Sequence, residues 1–228
     1  MNISFEESED NVIFRVDDLE SYYEPVLLGT CFYQRDGTSC IKKFPKHIKD
    51  LATIERNYAR DAEAMFRQLG EVAPTPWEKA LDEFLIRVAG TDINWWLAGS
   101  CAACVRGIPF NPHDVDIMID AKDVDTINSL FIDYIVEPII DTNGWLTKDF
   151  GVVFLHARID IASDPQARLD HPEPVDCGPY AKEHLEDVFW YEHRVKVPPV
   201  RLLLNANRRR GREERVRLLE EYIYRHKL

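Results

Sequence analysis

Residues 93–120 read INWWLAGSCAACVRGIPFNPHDVDIMID, and the fold turns on how this stretch is divided. Ile93 to Ala98 is an apolar run of strand length, Gly99-Ser100 interrupts it, and Cys101 to Arg106 is rich in small residues that suit a tightly packed helix. Two prolines exclude regular helix from Gly107 to His113. From Asp114 to Asp120 polar and apolar residues alternate with the period of a half-buried strand. Strand, small turn, packed helix, loop and strand follow one another, as in an α/β core.

The second strand carries the chemistry. Side chains at i and i+2 share a face, so Asp114 and Asp116 stand side by side while Val115 and Ile117 enter the core. Two carboxylates so close repel one another unless they are solvated or bridged by a cation, and a hard ion such as Mg2+, or Mn2+ in its place, is the natural bridge. Asp160 lies in Arg158-Ile159-Asp160-Ile161, an acid flanked by β-branched residues, so a neighbouring strand can bring a third carboxylate to the same edge. Three carboxylates can hold two metal ions, which serve the attacking and leaving oxygens of an in-line phosphoryl displacement. Gly99-Ser100, opening a helix, offers backbone N–H groups to phosphate oxygens, because glycine presents no side chain.

With these residues in view, the chain resembles the polymerase-β-like nucleotidyltransferases, including their minimal, antibiotic-modifying and abortive-infection types. The likeness rests on Leu97-Ala98-Gly99-Ser100, Arg106-Gly107 and Asp114-Val115-Asp116-Ile117, and spans roughly residues 75 to 163. It implies that Gly99 and Ser100 bind the triphosphate of a nucleoside triphosphate co-substrate. It also implies that Asp114 and Asp116 ligate both metals, and that Asp160 ligates the catalytic metal and receives the acceptor's proton. The sequence departs from the commonest pattern at His113, where a serine often precedes the first acid, and in the long spacing from Gly-Ser to Asp114.

Other residues have both a functional and a plainer reading. Arg106 can reach a phosphate from the helix behind Gly-Ser, or complement the helix dipole. Arg158 shares the face of Asp160 and can orient it or meet a phosphate. His113 is a metal ligand, a phosphate donor or a turn residue. Cys101 and Cys104 have zinc-knuckle spacing without a second pair nearby, so packing is the better expectation. Trp95-Trp96 is no stacking platform, since adjacent strand residues face opposite ways. The sharpest basic cluster is Arg208-Arg209-Arg210-Gly211-Arg212, followed by Arg215; Arg212 is counted among the phosphate-binding residues, and a solvated turn is the alternative for the cluster.

The rest of the chain frames this core. It has 228 residues and a formal charge of −12, which argues against a general nucleic-acid binder, yet Arg194 to Leu228 holds eleven Lys and Arg against four Glu. No apolar run reaches membrane-spanning length, and the N-terminus is acidic rather than signal-like, so a cytoplasmic protein with no membrane partner is expected. Cys31, Cys40, Cys101, Cys104 and Cys177 read as free buried thiols. Short β-like runs at Val12 to Val16, Val26 to Leu28 and Cys31 to Tyr33 precede a helix over Asp50 to Leu69 and another over Trp77 to Val88, with Thr75 as N-cap, Pro76 at the first helical position and Gly90 as stop. A helix over Ala121 to Tyr134, strands at Ile135 to Ile140, Val152 to Leu155 and Arg158 to Ile161, and helices at Ala181 to Phe189, Pro199 to Asn207 and Arg212 to Tyr224 complete the pattern.

The expected architecture is therefore an α/β (α+β) nucleotidyltransferase fold with a small mixed sheet flanked by helices. Residues 1–74 form a helical and irregular extension, 75–165 the catalytic core, and 166–228 a C-terminal helical region. The expected reaction moves a nucleoside monophosphate to a small-molecule, protein or tRNA acceptor and releases pyrophosphate. A catalytically silent nucleotide-binding module and a toxin-like enzyme acting on tRNA or a partner protein are the alternatives.

Overall fold

The computed structural model of the chain describes residues 1–30 and 32–228; Cys31 lies outside the described residues. Its elements are β1 (Asn2–Glu7), β2 (Asn11–Asp17), α1 (Tyr23–Gly29), β3 (Gln34–Asp36), β4 (Ser39–Pro45), α2 (Leu51–Leu69), α3 (Trp77–Val88), β5 (Trp95–Ala98), α4 (Gly99–Cys104), β6 (Val115–Ile119), α5 (Val124–Phe131), β7 (Ile135–Asp141), β8 (Asp149–Leu155), β9 (Ala157–Ser163), α6 (Pro179–Glu183), β10 (Glu186–Trp190), β11 (His193–Val197), α7 (Val200–Arg209) and α8 (Glu213–His226). None of the described helices is long and apolar enough to cross a membrane.

The central sheet has five strands in the order β5-β6-β9-β8-β7. β6 and β9 run parallel and their neighbours antiparallel, so the sheet is mixed, and the α/β class expected from residues 93–120 is the one observed. The inward faces are apolar: Trp96, Leu97, Ile117, Ile119, Ile159 and Ile161 are each fully buried. Removing a side chain of this size from water contributes about 1.5–3 kcal/mol before chain entropy is counted. Helix α2 covers this sheet with Ile54, Tyr58, Ala62, Met65 and Phe66, all buried at spacings of three and four. From α3, Phe84 stacks on Phe131 of α5 at 5.4 Å.

Several local expectations are corrected. The N-terminal segment, expected as a helical and irregular extension with short β-like runs, holds a four-stranded antiparallel sheet, β1-β2-β4-β3, in which β2 falls on the run expected at Val12 to Val16. The alternation that builds it is clearest in β2, where Val12, Phe14 and Val16 point inward. Val26 to Leu28 are helical, in α1. Pro76 occupies the N-cap of α3 and Thr75 supplies no side-chain cap, accepting instead a backbone bond from Trp77. The helix expected over Ala181 to Phe189 stops at Glu183, and a hairpin of β10 and β11 follows. Buried Trp190, Val195 and Val197, with half-buried Val188, have the period of a strand. Cys40, Cys101, Cys104 and Cys177 are free thiols, with Cys40 and Cys101 buried and Cys104 and Cys177 half-buried.

Candidate metal centre

Strand register places the acids. In the parallel pair Asp116 lies opposite Asp160, and on its other side Asp116 lies opposite Ala98, the residue before Gly99. Asp114 sits just ahead of β6, two residues from Asp116. One carboxylate oxygen from each of Asp114, Asp116 and Asp160 lies within 4.8 Å of the other two. The three acids expected from the sequence are thus brought together at one end of the parallel pair.

Their electrostatics follow from that crowding. Burial pushes the Asp116 carboxyl well up, and Asp114, Asp160 and Asp176 add to the rise against a weaker pull from Arg210. Burial likewise pushes Asp160 up to about 6, with Arg158 opposing and Asp114 reinforcing the shift. Arg158 donates from Nε to Oδ1 of Asp160 at 2.6 Å. Burial works against the charge on Arg158, but Asp160 and Glu137 outweigh it and keep the guanidinium protonated. A desolvated set of three mutually repelling oxygen donors, with one cation on one of them, is the donor set a hard divalent ion satisfies, so the residues present fit Mg2+ or a similar ion.

Gly99 fixes the contact between turn and metal acids. Its φ is +63°, and a Cβ there would lie 1.9 Å from Oδ2 of Asp116, so any side chain at this position would strain the backbone and displace the Asp116 carboxylate. The Gly99 N–H donates to Oδ2 of buried Asp176 at 2.9 Å. Gly99, Ser100, Asp114 and Asp116 form one wall of a cavity of about 160 Å³. The same cavity is lined by His113, Asp176, Asn207 and three arginines, Arg210, Arg212 and Arg215. The charge of Arg212 is disfavoured first by burial and then by Arg210 and Arg215, with Asp114 and Asp116 offsetting part of this. Clustered cations at a glycine-opened turn make a ready anion site.

The expected phosphate-binding residues separate. Gly99, Ser100 and Arg212 share the cavity. Arg158 stands behind Asp160, with its side chain only 3% exposed. Arg106 is turned away from the cavity: its Nη2 binds Glu186 at 2.6 Å and the Pro198 carbonyl at 2.8 Å, anchoring the β10–β11 hairpin. The basic cluster also divides, since Arg208 pairs with Glu220 and Arg209 binds the carbonyls of Leu169 and Glu173, leaving Arg210 and Arg212 for the site.

The cysteines of α4 serve packing. Cys101 Sγ donates to the Asp114 carbonyl at 3.3 Å and Cys104 Sγ to that of Phe110 at 3.4 Å, and burial pushes both thiols up, away from thiolate. Trp96 is fully buried, and Trp95 packs edge-on against Phe84. Asp176 and Asn207 were not foreseen. Asp176 lies in a proline-containing loop without periodicity, and Asn207 reads as an ordinary helix residue.

No protein-family model matches this sequence, and no curated protein matches it. A crystal structure from Thermotoga maritima, of a protein described provisionally as a nucleotidyltransferase, superposes with a TM-score of 0.50 at 18% identity, over 67% of this chain and 96% of that one. At that identity the likeness speaks for fold. The mixed sheet, the register that sets Asp160 beside Asp116 and this superposition agree, and the chain has the nucleotidyltransferase fold, with three carboxylates gathered where the polymerase-β-like resemblance implies a metal site.

Proposed function

We propose that this protein is a metal-dependent nucleotidyltransferase that moves a nucleoside monophosphate from a nucleoside triphosphate to an acceptor and releases pyrophosphate. The observation that carries the reading is the carboxylate triad, within 4.8 Å and bordered by a cavity that gathers Gly99 with three arginines. Bound Mg2+ would supply charge neutralisation at the reacting phosphate and activation of the attacking oxygen.

The residues divide the work. Asp114, Asp116 and Asp160 hold the cation. Gly99 and Ser100 bring to the phosphates a turn with no side chain at Gly99, while Arg210 and Arg212, from the turn between α7 and α8, and Arg215 of α8 line the same cavity. Arg158 holds one oxygen of Asp160 and so fixes the carboxylate's orientation. The presence of all three acids favours turnover over a silent nucleotide-binding module.

Titration calorimetry of a panel of nucleoside triphosphates with Mg2+, comparing wild type with Asp114→Ala/Asp116→Ala, tests this. Magnesium-dependent binding that disappears in the folded double variant is the expected result, and it names the base. Folded wild-type protein that binds no triphosphate would contradict the reading.

A further inference from the structure

A second cavity lies away from the metal centre, between β4 of the N-terminal sheet and the β7–β8 edge of the central sheet. It has a volume of about 280 Å³ and shares no lining residue with the arginine-lined cavity beside Gly99. Phe32, Phe44, Pro138 and Phe150 give it apolar walls, and two buried charged groups, Lys42 and Glu137, lie among them.

Strand register brings the lysine inside. On β4, Lys42 lies opposite Phe14 and Phe44 opposite Val12, so Lys42 shares the inward face of the sheet and its side chain is only 3% exposed. An ammonium so placed is costly unless its charge and its three N–H donors find partners. Among the described residues it makes one hydrogen bond, to Oε2 of Glu137. Nor does Glu137 use that charge alone, because Lys42 and Arg158 together hold its carboxyl below the usual range. The remaining surroundings of Nζ are aromatic: the ring centroids of Phe32, Phe44 and Phe150 lie at 5.7, 5.4 and 5.8 Å. Rings at this distance favour the positive charge but bring no oxygen to the other N–H groups.

We propose that this cavity is a ligand site for a small aromatic carboxylate, whose ring lies among Phe32, Phe44 and Phe150 while its carboxylate accepts a hydrogen bond from Nζ of Lys42. Three observations select this class. The volume is at the small end of ligand pockets, which run from roughly 300 to 1,000 Å³, and suits one or two fused rings. Three aromatic side chains around one space favour a flat aromatic guest through edge-to-face and offset contacts. A buried ammonium with N–H groups to spare favours an ionised oxygen over a neutral one, since a charge-assisted bond is roughly twice as strong. The charges of the lining balance, Lys42 and Lys43 against Glu137 and Asp141, so a single negative charge is accommodated and a polyphosphate is repelled. The site is thereby distinct in chemistry, as in place, from the cavity where three arginines gather.

Calorimetric titration of the full-length protein with β-naphthoate and with its neutral amide, β-naphthamide, tests this. Gln34→Trp closes the cavity: Gln34 lines it from the edge strand β3, is exposed, and makes no side-chain hydrogen bond among the described residues, so the fold tolerates the change. Gln34→Ala is the control. Lys42→Met/Glu137→Gln removes the ammonium and its partner together, and thermal unfolding identifies the variants that are folded. Arg212→Ala reports any binding at the other anion cavity.

The naphthoate should bind wild type, Gln34→Ala and Arg212→Ala alike, and about ten-fold more weakly to Gln34→Trp and to the folded Lys42→Met/Glu137→Gln variant. The amide should bind wild type about ten-fold more weakly than the acid. Folded wild type that binds no naphthoate, or affinity unchanged by Gln34→Trp, would overturn the site. Equal affinity for acid and amide would overturn recognition by Lys42. Binding lost in Arg212→Ala and kept in Gln34→Trp would place the carboxylate at the metal centre and overturn the proposal as well.

Discussion

Arg158 and Asp160 stand two residues apart on β9 and are joined by a 2.6 Å hydrogen bond from Nε to Oδ1, in a place where the arginine side chain is only 3% exposed. Behind Arg158 lies Glu137 of β7, fully buried and bound by Lys42 and by the Tyr33 hydroxyl from the N-terminal segment. Burial alone would push the Glu137 carboxyl up; Lys42 and Arg158 overcome it and hold it below the usual carboxylate range. The N-terminal sheet is therefore tied through Lys42, Glu137 and Arg158 to an acid of the metal centre.

Removing one partner from that buried set leaves an uncompensated charge. Lys42→Met should lose about 3–5 kcal/mol of stability in a denaturant titration, and Glu137→Gln in the same chain should restore a large part of it. A double variant whose loss equals the sum of the two single losses would show that the pair does not act as a unit. Arg158→Lys keeps the charge but not the planar fork, so its expected signature is weaker Mg2+ dependence of nucleotide binding at little cost in stability.

Gly99→Ala is the sharpest single change at the turn. Its Cβ would press on Oδ2 of Asp116, and its φ of +63° is strained for alanine. Magnesium-dependent triphosphate binding should be lost, with a stability loss of about 1 kcal/mol or more. Calorimetry together with thermal unfolding distinguishes this from general misfolding.

The arginines separate by address. Arg212→Ala and Arg210→Ala should each weaken triphosphate binding by about 1.5–3 kcal/mol and reduce its salt dependence. Arg106→Ala should leave affinity unchanged, because that side chain is committed to Glu186 and Pro198. Equal effects at Arg106 and Arg212 would contradict the assignment of the cavity.

The triad also makes a signed prediction about pH. Because burial raises Asp116 and Asp160, the latter to about 6, their protonated forms favour the metal-free fold. That contribution is complete below the unfolded carboxylate range near pH 4 and is lost as pH rises through about 6. Metal-free protein should therefore lose stability across this window, and Mg2+ should raise Tm more at about pH 7.5 than at about pH 5, since it binds the ionised acids. Asp114→Asn/Asp116→Asn should abolish the metal increment.

Much of the core was legible because its signals are local. The alternation from Asp114 to Asp120 and the Gly99-Ser100 break specify strand and turn without reference to anything distant. What escaped depends on contacts across the chain. Asp176 reaches Gly99 from a loop with no periodicity, and the β-like run at Val12 to Val16 gave no sign of its partners, Asn2–Glu7 and Ser39–Pro45, on either side. The segment after Glu183 was misread because Leu185 to Trp190 mixes charged and apolar residues in a way that fits a short helix, until the pairing of Trp190 with His193 makes it a hairpin. Arg106 shows the same limit: position in sequence put it beside the site, and Glu186, far along the chain, drew its side chain elsewhere.

The central claim is that Asp114, Asp116 and Asp160 together hold divalent metal against a triphosphate. Anomalous diffraction from crystals grown with Mn2+ and a non-hydrolysable nucleoside triphosphate tests it most directly. The account predicts manganese peaks bonded to carboxylate oxygens of all three residues, with the phosphates running toward Gly99, Ser100 and Arg212. Bound nucleotide with no metal between the three carboxylates, or metal held elsewhere, would contradict it.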